Sequence, residues 1–346
     1  MPHFDKIGYD VTLVELRHPS RATEAFKDLG VEVTNLGRGK YNPITLIDLI
    51  KIIRRENADI IHCHGYGSST FCRVAGLITR TPVVIHEHMI DQFTPRHMVL
   101  MDKALSPLTS KAIAVSGAVK IFMNTKRGIP LGKIDVIHNG LPTEYCNRYS
   151  EEEKVKIRFG LDVSDTYPVI TVTGRLDHVK GHEVLIRALS ILADSEMPYI
   201  CLIVGDGELM PSLQKLAKDL GVSEHTRFLG FRTDISEILS ITDIMVISSY
   251  SEGCSLALLE GMAAGTAIVS TAVGGIPEMV DDKETALLIK PGDPKAMSCA
   301  LETLIKDKTF RRKLGAQAKK VCEENYLITQ TISRFIELYQ QLLMNR

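Results

Sequence analysis

The sequence contains no tryptophan, and aromatic residues make up only 6% of its 346 residues. Its seven cysteines are scattered without a Cys-x-x-Cys pair, which favours a reducing compartment over a disulfide framework. No apolar run reaches the roughly 18 residues that a membrane-spanning helix needs. No secretory signal pattern is visible at the N-terminus. We therefore expect a cytoplasmic protein, and docking on the inner face of a membrane stays open.

Strong charge of either sign is also lacking, because the net charge is −1. Nothing in the totals therefore indicates a nucleic-acid partner. The charge is unevenly distributed, however: residues 1–148 carry 19 Lys and Arg against 14 Asp and Glu, and the remainder carries 22 against 28. A basic half and an acidic half predict different partners for the two parts of the chain.

Short apolar segments alternate with helical segments along both halves, which predicts parallel sheets covered on both faces. Polar residues follow the strands at their carboxyl ends, where such sheets bind ligands. Residues 141–167 are polar and include an acidic run, so we expect an irregular linker there. The predicted domains are residues 1–148 and 149–325, followed by a helical segment over residues 326–346.

One stretch, Ser248 to Val280, carries the clearest chemical signal. A buried strand leads into a loop with Glu252, and Ser255 is a plausible N-cap for the helix that follows. A helix N-terminus at the end of a strand suits an anion. The backbone N–H groups predicted to point at a phosphate or a sugar are those of Gly253, Cys254, Ser255 and Leu256.

This stretch resembles the E-x7-E motif of the GT4-type retaining glycosyltransferases, with Glu252 and Glu260 as the two carboxylates. Three upstream segments also match that family in order: VITVTGRLDHVKGHEVLIRAL from Val169, IVGDGEL from Ile203 and RFLGFRTDI from Arg227. A lone E-x7-E is a weak signal, whereas four elements in order form a strong one. The resemblance implies the GT-B fold, an α/β architecture of two Rossmann-like domains facing across a cleft. It also implies a C-terminal helix that crosses back to the first domain.

The resemblance further implies an enzyme that moves a sugar from a nucleoside-diphosphate sugar to a glycan or lipid-linked acceptor, with cell-surface polysaccharide or glycolipid synthesis as its role. The donor would bind the second domain and the acceptor the first, and no cofactor is implied. Arg175 and Lys180 would stabilise the charge of the departing diphosphate. Glu252 would lie near the donor sugar, and His88 would reach its primary hydroxyl.

Further donor-binding positions follow from the same resemblance. Glu260 would accept hydrogen bonds from the ribose hydroxyls, since a carboxylate pairs well with a vicinal diol. Cys254 would either fill space or narrow the sugar pocket. The remaining donor-side positions are Gly174, Gly205, Phe231 and Asn139.

Two His-x-His pairs, at His62 and His64 and at His86 and His88, raise the hypothesis of a zinc site. Alternate residues of a strand share a face by geometry alone, which explains the pairs without a metal. The resembling family is also independent of metal. We therefore expect no metal ligands in the chain and structural roles for His62 and His86.

The helix predicted from Thr45 carries Lys51 and Arg55 beside an isoleucine stripe. Members of the resembling family dock on anionic lipid through the first domain, and a basic helix is compatible with that. A solvated face over a core stripe explains the same pattern.

The first residues of the chain depart from the alternation of strands and helices that an α/β domain shows. Residues 3–7 predict the tail of a helix, and a turn at Gly8 then leads to a strand from Asp10 to Glu15. An α/β domain normally begins one strand earlier, and in the resembling family that strand leads to a Gly-rich loop. We therefore expect the first strand and its loop to be absent from the chain as given.

Two other functions remain compatible with the sequence. Sugar-nucleotide 2-epimerases share the two-domain architecture and bind the same ligands, although the motif pair argues against them. A nucleotide-binding remnant without activity is the other alternative, because of the expected gap at the N-terminus.

Overall fold

The computed structural model describes residues 8–19, 21–40, 42–91, 94–146, 149–164, 166–195 and 197–344. The chain forms two compact units: unit 1 comprises Met1–His138 and Thr331–Arg346, and unit 2 comprises Asn139–Gln330. Both units are built from helices and parallel strands, which confirms the predicted α/β fold class. The predicted helix tail before Gly8 lies outside the described residues.

The strands are short and consist largely of Val, Ile, Leu and Ala, as buried parallel strands require. They are β1 (Leu13–Glu15), β2 (Val33–Asn35), β3 (Ile61–His64), β4 (Val83–Glu87), β5 (Lys111–Ala114), β6 (Ile134–Val136), β7 (Val169–Thr173), β8 (Ile200–Val204), β9 (Thr226–Gly230), β10 (Ile244–Ile247), β11 (Ala267–Thr271) and β12 (Leu287–Ile289).

The described α-helices alternate with these strands up to β11, β12 follows β11 without an α-helix between them, and the last three helices follow one another at the end of the chain. The helices are α1 (Arg21–Asp28), α2 (Ile44–Arg55), α3 (Tyr66–Thr79), α4 (Arg96–Leu105), α5 (Gly117–Arg127), α6 (Glu151–Gly160), α7 (His182–Ala193), α8 (Met210–Asp219), α9 (Ile235–Ser240), α10 (Leu256–Ala264), α11 (Pro294–Lys306), α12 (Lys308–Asn325) and α13 (Ile328–Met344). None of them is both long and apolar enough to cross a membrane.

Unit 1 contains two parallel sheets among its described residues. β1 pairs with β2 in one sheet, and the other has the order β3-β4-β5-β6. Helix α13 packs on the larger sheet, where Leu338 joins a core cluster with Val84, Ile113 and Ile137. The predicted return of the C-terminal helix to the first domain is therefore confirmed.

Unit 2 is a single six-stranded parallel sheet with the order β12-β11-β10-β7-β8-β9. Its first strand, β7, lies between β8 and β10, so the chain winds outward in one direction and then in the other. In such sheets, ligands bind at the carboxyl ends of the strands where the winding direction reverses. In unit 2 this position lies beyond the ends of β7 and β10.

The segment over residues 141–167 is not the irregular linker that its polarity predicted. Residues Glu151–Gly160 form α6, which begins with a capping box: Ser150 Oγ accepts from the N–H of Glu153 at 3.2 Å, and the Glu153 carboxylate accepts from the N–H of Ser150 at 2.7 Å. The acidic run lies in the first helical turn, where negative charge is favourable.

The two units divide after His138, ten residues before the boundary expected from the sequence. Leu141 accounts for the difference, because its N–H donates to the carbonyl of Tyr326 at 2.8 Å and its carbonyl accepts from Ile328 at 2.8 Å. These bonds attach the segment after Asn139 to the end of unit 2.

Candidate functional site

The candidate site of unit 2 lies where the loops after β7 and β10 meet. Lys180, in the loop after β7, places Nζ 2.7 Å from Oε1 of Glu252, in the loop after β10. The Glu252 carboxylate is nearly buried and also accepts a hydrogen bond from Ser249 Oγ at 2.6 Å. The two loops are joined again by Ser248 Oγ, which donates to the carbonyl of Lys180 at 2.8 Å. A cation and an anion are thus held rigidly at the switch point of the sheet.

Arg175 enters the same loop but is held less firmly. Its guanidinium lies 3.0 Å from Asp177, and its side chain is 73% exposed. Asp177 in turn caps the short helical turn that contains Lys180, because its carboxylate accepts from the Lys180 N–H at 3.2 Å. Arg175 is therefore an exposed cation on a loop that Asp177 holds in place, suited to meeting an anionic ligand.

Glycine is required where the loop backbones of this site approach each other most closely. A Cβ at Gly205 would lie 1.8 Å from the carbonyl oxygen of Gly174, and one at Gly274 would lie 1.7 Å from that of Glu252. Both residues also have positive φ, of 144° and 54°. Side chains at these positions would force the loops after β7, β8, β10 and β11 apart.

The N-terminus of α10 provides further hydrogen-bond donors. Ser255 is the N-cap, as predicted, and its Oγ accepts from the N–H of Leu258 at 3.3 Å. The N–H groups of Gly253, Cys254 and Ser255 donate to no acceptor among the described residues. Unpaired donors at a helix N-terminus attract an anion through their partial positive charge.

Glu260 lies on α10 one and a half turns beyond the N-cap. Burial raises the pKa of its carboxyl from 4.5 to about 7. The side chain makes no ion pair within the described residues of the chain. A half-buried, unpaired carboxylate is costly for the fold, and such groups are frequent at functional sites.

The remaining donor-side positions have different surroundings. Cys254 is buried, with its Sγ 3.8 Å from Sδ of Met279, and its carbonyl accepts from Asn139 Nδ2 at 3.3 Å. Burial raises the pKa of its thiol to about 12, so Cys254 is a space-filling group and not a nucleophile. Phe231 and Leu256, in contrast, are 64% and 50% exposed.

His88 belongs to unit 1, where it lies in a cluster of four histidines at the ends of β3 and β4. Its Nε2 is 2.8 Å from Nδ1 of His64. Desolvation by the surrounding protein lowers the pKa of His62 to about 3 and that of His64, whose side chain still reaches solvent, to about 4. It also lowers the pKa values of His86 and His88. All four rings are therefore neutral at pH 7.

A buried ionic network in unit 1 escaped the sequence analysis. Asp102 on α4 bridges Arg73 on α3 and Arg127 on α5, and Arg127 also contacts Glu87 at the end of β4. Arg73 is fully buried and donates to Thr109 Oγ1 at 2.9 Å. Because Glu87 immediately precedes His88, the network anchors the backbone that carries His88. The arginine within the apolar run FCRVAGL was the only signal for it in the sequence.

A pocket of about 120 Å³ opens beside this network. It is lined by Tyr66, Asp91 and Phe122, together with Lys126 and the exposed edge of the network. The pocket combines an aromatic surface with charges of both signs, which suits a polar ligand with hydroxyl or anionic groups.

Two family models match the chain and together span most of it. The model described as glycosyl transferases group 1 matches residues 153–321, and the one described as glycosyltransferase family 4 matches residues 2–145. The gap between the two matches, residues 146–152, follows the division of the two units after His138 and contains the boundary at residue 148 that the sequence predicted.

Two curated relatives illustrate the similarity in sequence. The chain is 23% identical over 351 residues to N-acetyl-alpha-D-glucosaminyl L-malate synthase of Bacillus anthracis, covering 97% of this chain and 90% of that protein. It is 26% identical over 316 residues to the UDP-Gal:alpha-D-GlcNAc-diphosphoundecaprenol alpha-1,3-galactosyltransferase of Escherichia coli, with coverages of 87% and 80%.

Solved structures confirm the fold. A glycosyltransferase from Rickettsia africae superposes with a TM-score of 0.88 at 21% identity, covering 99% of this chain and 93% of that chain. Anabaena HepE in complex with UDP-glucose superposes with a TM-score of 0.80 at 22% identity, covering 93% and 90%. The predicted GT-B class is thereby confirmed.

Proposed function

Because the chain belongs to the GT4-type family of glycosyltransferases, we propose that it transfers a hexose from a nucleoside-diphosphate sugar with retention of configuration. The observation that carries this proposal is the contact between Lys180 and Glu252 at the switch point of unit 2. In this contact Lys180, the cation proposed for the diphosphate, holds Glu252, the carboxylate proposed for the sugar, in a fixed position.

The diphosphate is assigned to Lys180, Arg175 and the N-terminus of α10. When the bond between the sugar C1 and the phosphate oxygen breaks, its electrons remain on the diphosphate, and the added charge needs stabilisation. Two cations and the unpaired N–H groups of Gly253 to Ser255 supply it. The acceptor oxygen then bonds to C1 on the face that the diphosphate leaves, and its proton passes to the departing phosphate oxygen. No protein nucleophile is needed, and we assign no metal ion to the transfer.

The sugar and the nucleoside are assigned to the two carboxylates. Glu252, nearly buried beside Ser249, is proposed to orient a sugar hydroxyl or to stabilise positive charge at C1. Glu260, unpaired on α10, is proposed to bind the ribose diol. The UDP and UDP-glucose complexes of Anabaena HepE support a nucleotide donor for this fold.

We assign the acceptor to unit 1. The pocket beside the ionic network offers Tyr66 for stacking on a sugar ring, and Lys126 and Asp91 for its hydroxyl or anionic groups. The malate and diphosphoundecaprenol-linked acceptors in the names of two relatives are both anionic. A glycan or lipid-linked acceptor with a negative group therefore fits the basic half of the chain, in cell-surface polysaccharide or glycolipid synthesis.

A membrane contact through α2 is part of the same proposal. Ile44 and Ile47 are 44% and 52% exposed, and Lys51 and Arg54 follow them on the same exposed side of the helix. Exposed isoleucines beside cations are the features of a helix that lies on anionic lipid at the cytoplasmic surface.

The test is a panel of UDP-, GDP- and ADP-sugars, read first by thermal shift and then by transfer to a mixed acceptor pool. One nucleotide series is expected to raise the melting temperature, and the product is expected to keep the anomeric configuration of the donor by NMR. Epimerisation of the donor sugar without acceptor would instead establish the epimerase alternative. Donor binding with neither transfer nor hydrolysis would establish the remnant.

A further inference from the structure

The histidine cluster of unit 1 has features that its sequence pattern does not require. His62 and His64 project from one face of β3, and His86 pairs with His64 in the register of the neighbouring strand β4. Their ring centroids lie 4.7 Å (His62 and His64), 5.3 Å (His62 and His86) and 5.0 Å (His64 and His86) apart. The alternation of side chains along a strand explains why the rings share a face. It does not explain why their nitrogens lack partners.

His86 is 4% exposed, and neither of its ring nitrogens has a hydrogen-bond partner among the described residues. The Nε2 atom of His62 is likewise buried and has no partner in the described part of the chain. Buried polar atoms are normally paired, because leaving one without a partner costs about 1–3 kcal/mol. A neutral imidazole has one lone pair. A single partner that accepts the lone pairs of His62 Nε2 and of one His86 nitrogen would therefore satisfy two of these three atoms.

We propose that His62, His64 and His86 form a binding site for a divalent transition metal, with Zn²⁺ as the best fit. One candidate ligand atom from each ring lies within 4.8 Å of those of the other two. Nitrogens bound tetrahedrally to zinc at about 2.0–2.1 Å lie about 3.4 Å apart. Each pair therefore closes by at most about 1.4 Å, which small rotations of the side chains supply, since χ2 of histidine is broad.

The partners of the other ring nitrogens support this assignment. His62 Nδ1 hydrogen-bonds the hydroxyl of Tyr339 on α13, and His64 Nδ1 lies 2.8 Å from His88 Nε2. With Nδ1–H donating to the partner in each case, Nε2 of both rings is left available to a metal. Metal-bound histidines usually have their second nitrogen held in this way. Three imidazoles with an open fourth position suit Zn²⁺ and neighbouring transition metals, and not the hard cations Mg²⁺ and Ca²⁺.

A route for the metal exists because His64 is exposed, whereas His86 closes the cluster on the inner side. The site is distinct from the chemistry assigned to unit 2, and the proposed transfer does not require it. The sequence-based expectation of no metal ligands rested on strand geometry and on the family resemblance. The ring nitrogens of His62 and His86 that have no partner among the described residues are the observation that replaces this expectation with the proposal of a metal site.

The test uses the untagged, full-length protein, freed of metal by chelation, and follows the visible absorption of added Co²⁺ without donor or acceptor. One equivalent of Co²⁺ is expected to give the intense band of four-coordinate cobalt, and one equivalent of Zn²⁺ is expected to abolish it. The variants His64→Gln and His86→Asn are each expected to weaken binding at least ~10-fold, and Tyr339→Phe to weaken it about 10-fold through the orientation of His62.

His97→Gln is the matched control, because His97 is an exposed histidine of the same unit outside the cluster. It is expected to bind cobalt as the unmodified protein does. Absence of the band, or a band that His64→Gln leaves unchanged, would overturn the proposal. Circular dichroism of each variant separates loss of the site from loss of the fold. If His86→Asn unfolds, His64→Gln decides the question, because His64 is exposed and its replacement disturbs the fold less. Because no sugar is present, a negative result leaves the proposed transferase function standing.

Discussion

The Nζ atom of Lys180 and the Oε1 atom of Glu252 lie 2.7 Å apart, although 72 residues separate them in the chain. Adjacent parallel strands explain the distance: β7 and β10 are neighbours in the sheet, and each residue follows the carboxyl end of its strand. The pair gives unit 2 a fixed charge arrangement before any ligand binds. Preorganised charge stabilises a transition state without the cost of reorganisation.

Lys180→Ala is expected to lower kcat by about 10²-fold or more, because a charge-stabilising group at the leaving diphosphate is lost. Arg175→Ala is expected to act in the same direction. The controls are Lys215→Ala and Arg187→Ala, which remove exposed cations of the same unit. Steady-state kinetics with the identified donor measure the effect, and unchanged turnover in either site variant would refute its assignment.

Glu260 is expected to make donor binding dependent on pH. Its pKa of about 7 means that the carboxyl is mostly protonated at pH 6 and mostly ionised at pH 8. The ionised form is the better acceptor for a ribose diol, so donor affinity is expected to rise about tenfold over this interval. Calorimetric titration at several pH values checks it, and Glu260→Gln should bind weakly and without that dependence.

In the donor-free protein, ionisation of Glu260 has the opposite effect: it lowers the stability of the fold as the pH rises. The pKa of Glu260 is raised on folding, so the folded state holds its proton more tightly than the unfolded state does. Its contribution to the free energy of unfolding therefore falls as the pH rises from 4.5 through about 7. Glu260→Gln should flatten this part of the stability profile, and Glu284→Gln, at an exposed position of the same unit, should not.

Chelation is expected to leave transfer intact. The charge of the diphosphate is assigned to Arg175, Lys180 and the N-terminus of α10, so EDTA should not change kcat. The assay is run after dialysis against EDTA, with and without added Mg²⁺ or Mn²⁺. Complete loss of turnover that either ion restores would refute the assignment and would require a metal at the diphosphate.

The ionic network of unit 1 is expected to be sensitive to charge imbalance. Arg73→Met removes one of two buried cations and leaves two buried carboxylates, which should destabilise unit 1 by about 3–5 kcal/mol. The double variant with Asp102→Asn restores the balance and should lose less than the sum of the single changes. Urea unfolding measures both, with the exposed Arg96→Met as control. Strict additivity would show that the residues do not act as one network.

Charge reversal on α2 tests the membrane contact. Lys51→Glu with Arg54→Glu removes two cations worth about 1 kcal/mol each near anionic lipid, so affinity should fall about 30-fold or more. Co-sedimentation with vesicles containing an anionic phospholipid measures it, against vesicles of zwitterionic lipid alone. Reversal of Arg187 and Lys215 in unit 2 is the control. Equal binding of all three proteins would exclude α2 as the docking face.

The sequence by itself determined the sheet elements and the donor-side motifs. The alternation of short apolar segments with helical segments predicted the parallel sheets, and the buried strand expected before Glu252 is found as β10, because buried parallel strands are continuous apolar runs between turns. The N-cap at Ser255 was visible for a similar reason, since capping depends on a few adjacent residues. Helix α6 was missed because its surface is polar, although the capping box at Ser150 and Glu153 was a local signal for it.

Only the tertiary structure decided which charged and polar groups meet. The contacts of Asp102 with Arg73 and Arg127 join three helices, and no local pattern records such a contact. His62 Nε2 and the two ring nitrogens of His86 lack partners among the described residues, and this too depends on how the neighbouring elements pack. Periodicity reports which face of an element is buried. Hydrogen-bond partners depend on packing between elements that are distant in sequence, and therefore only the folded chain reveals them.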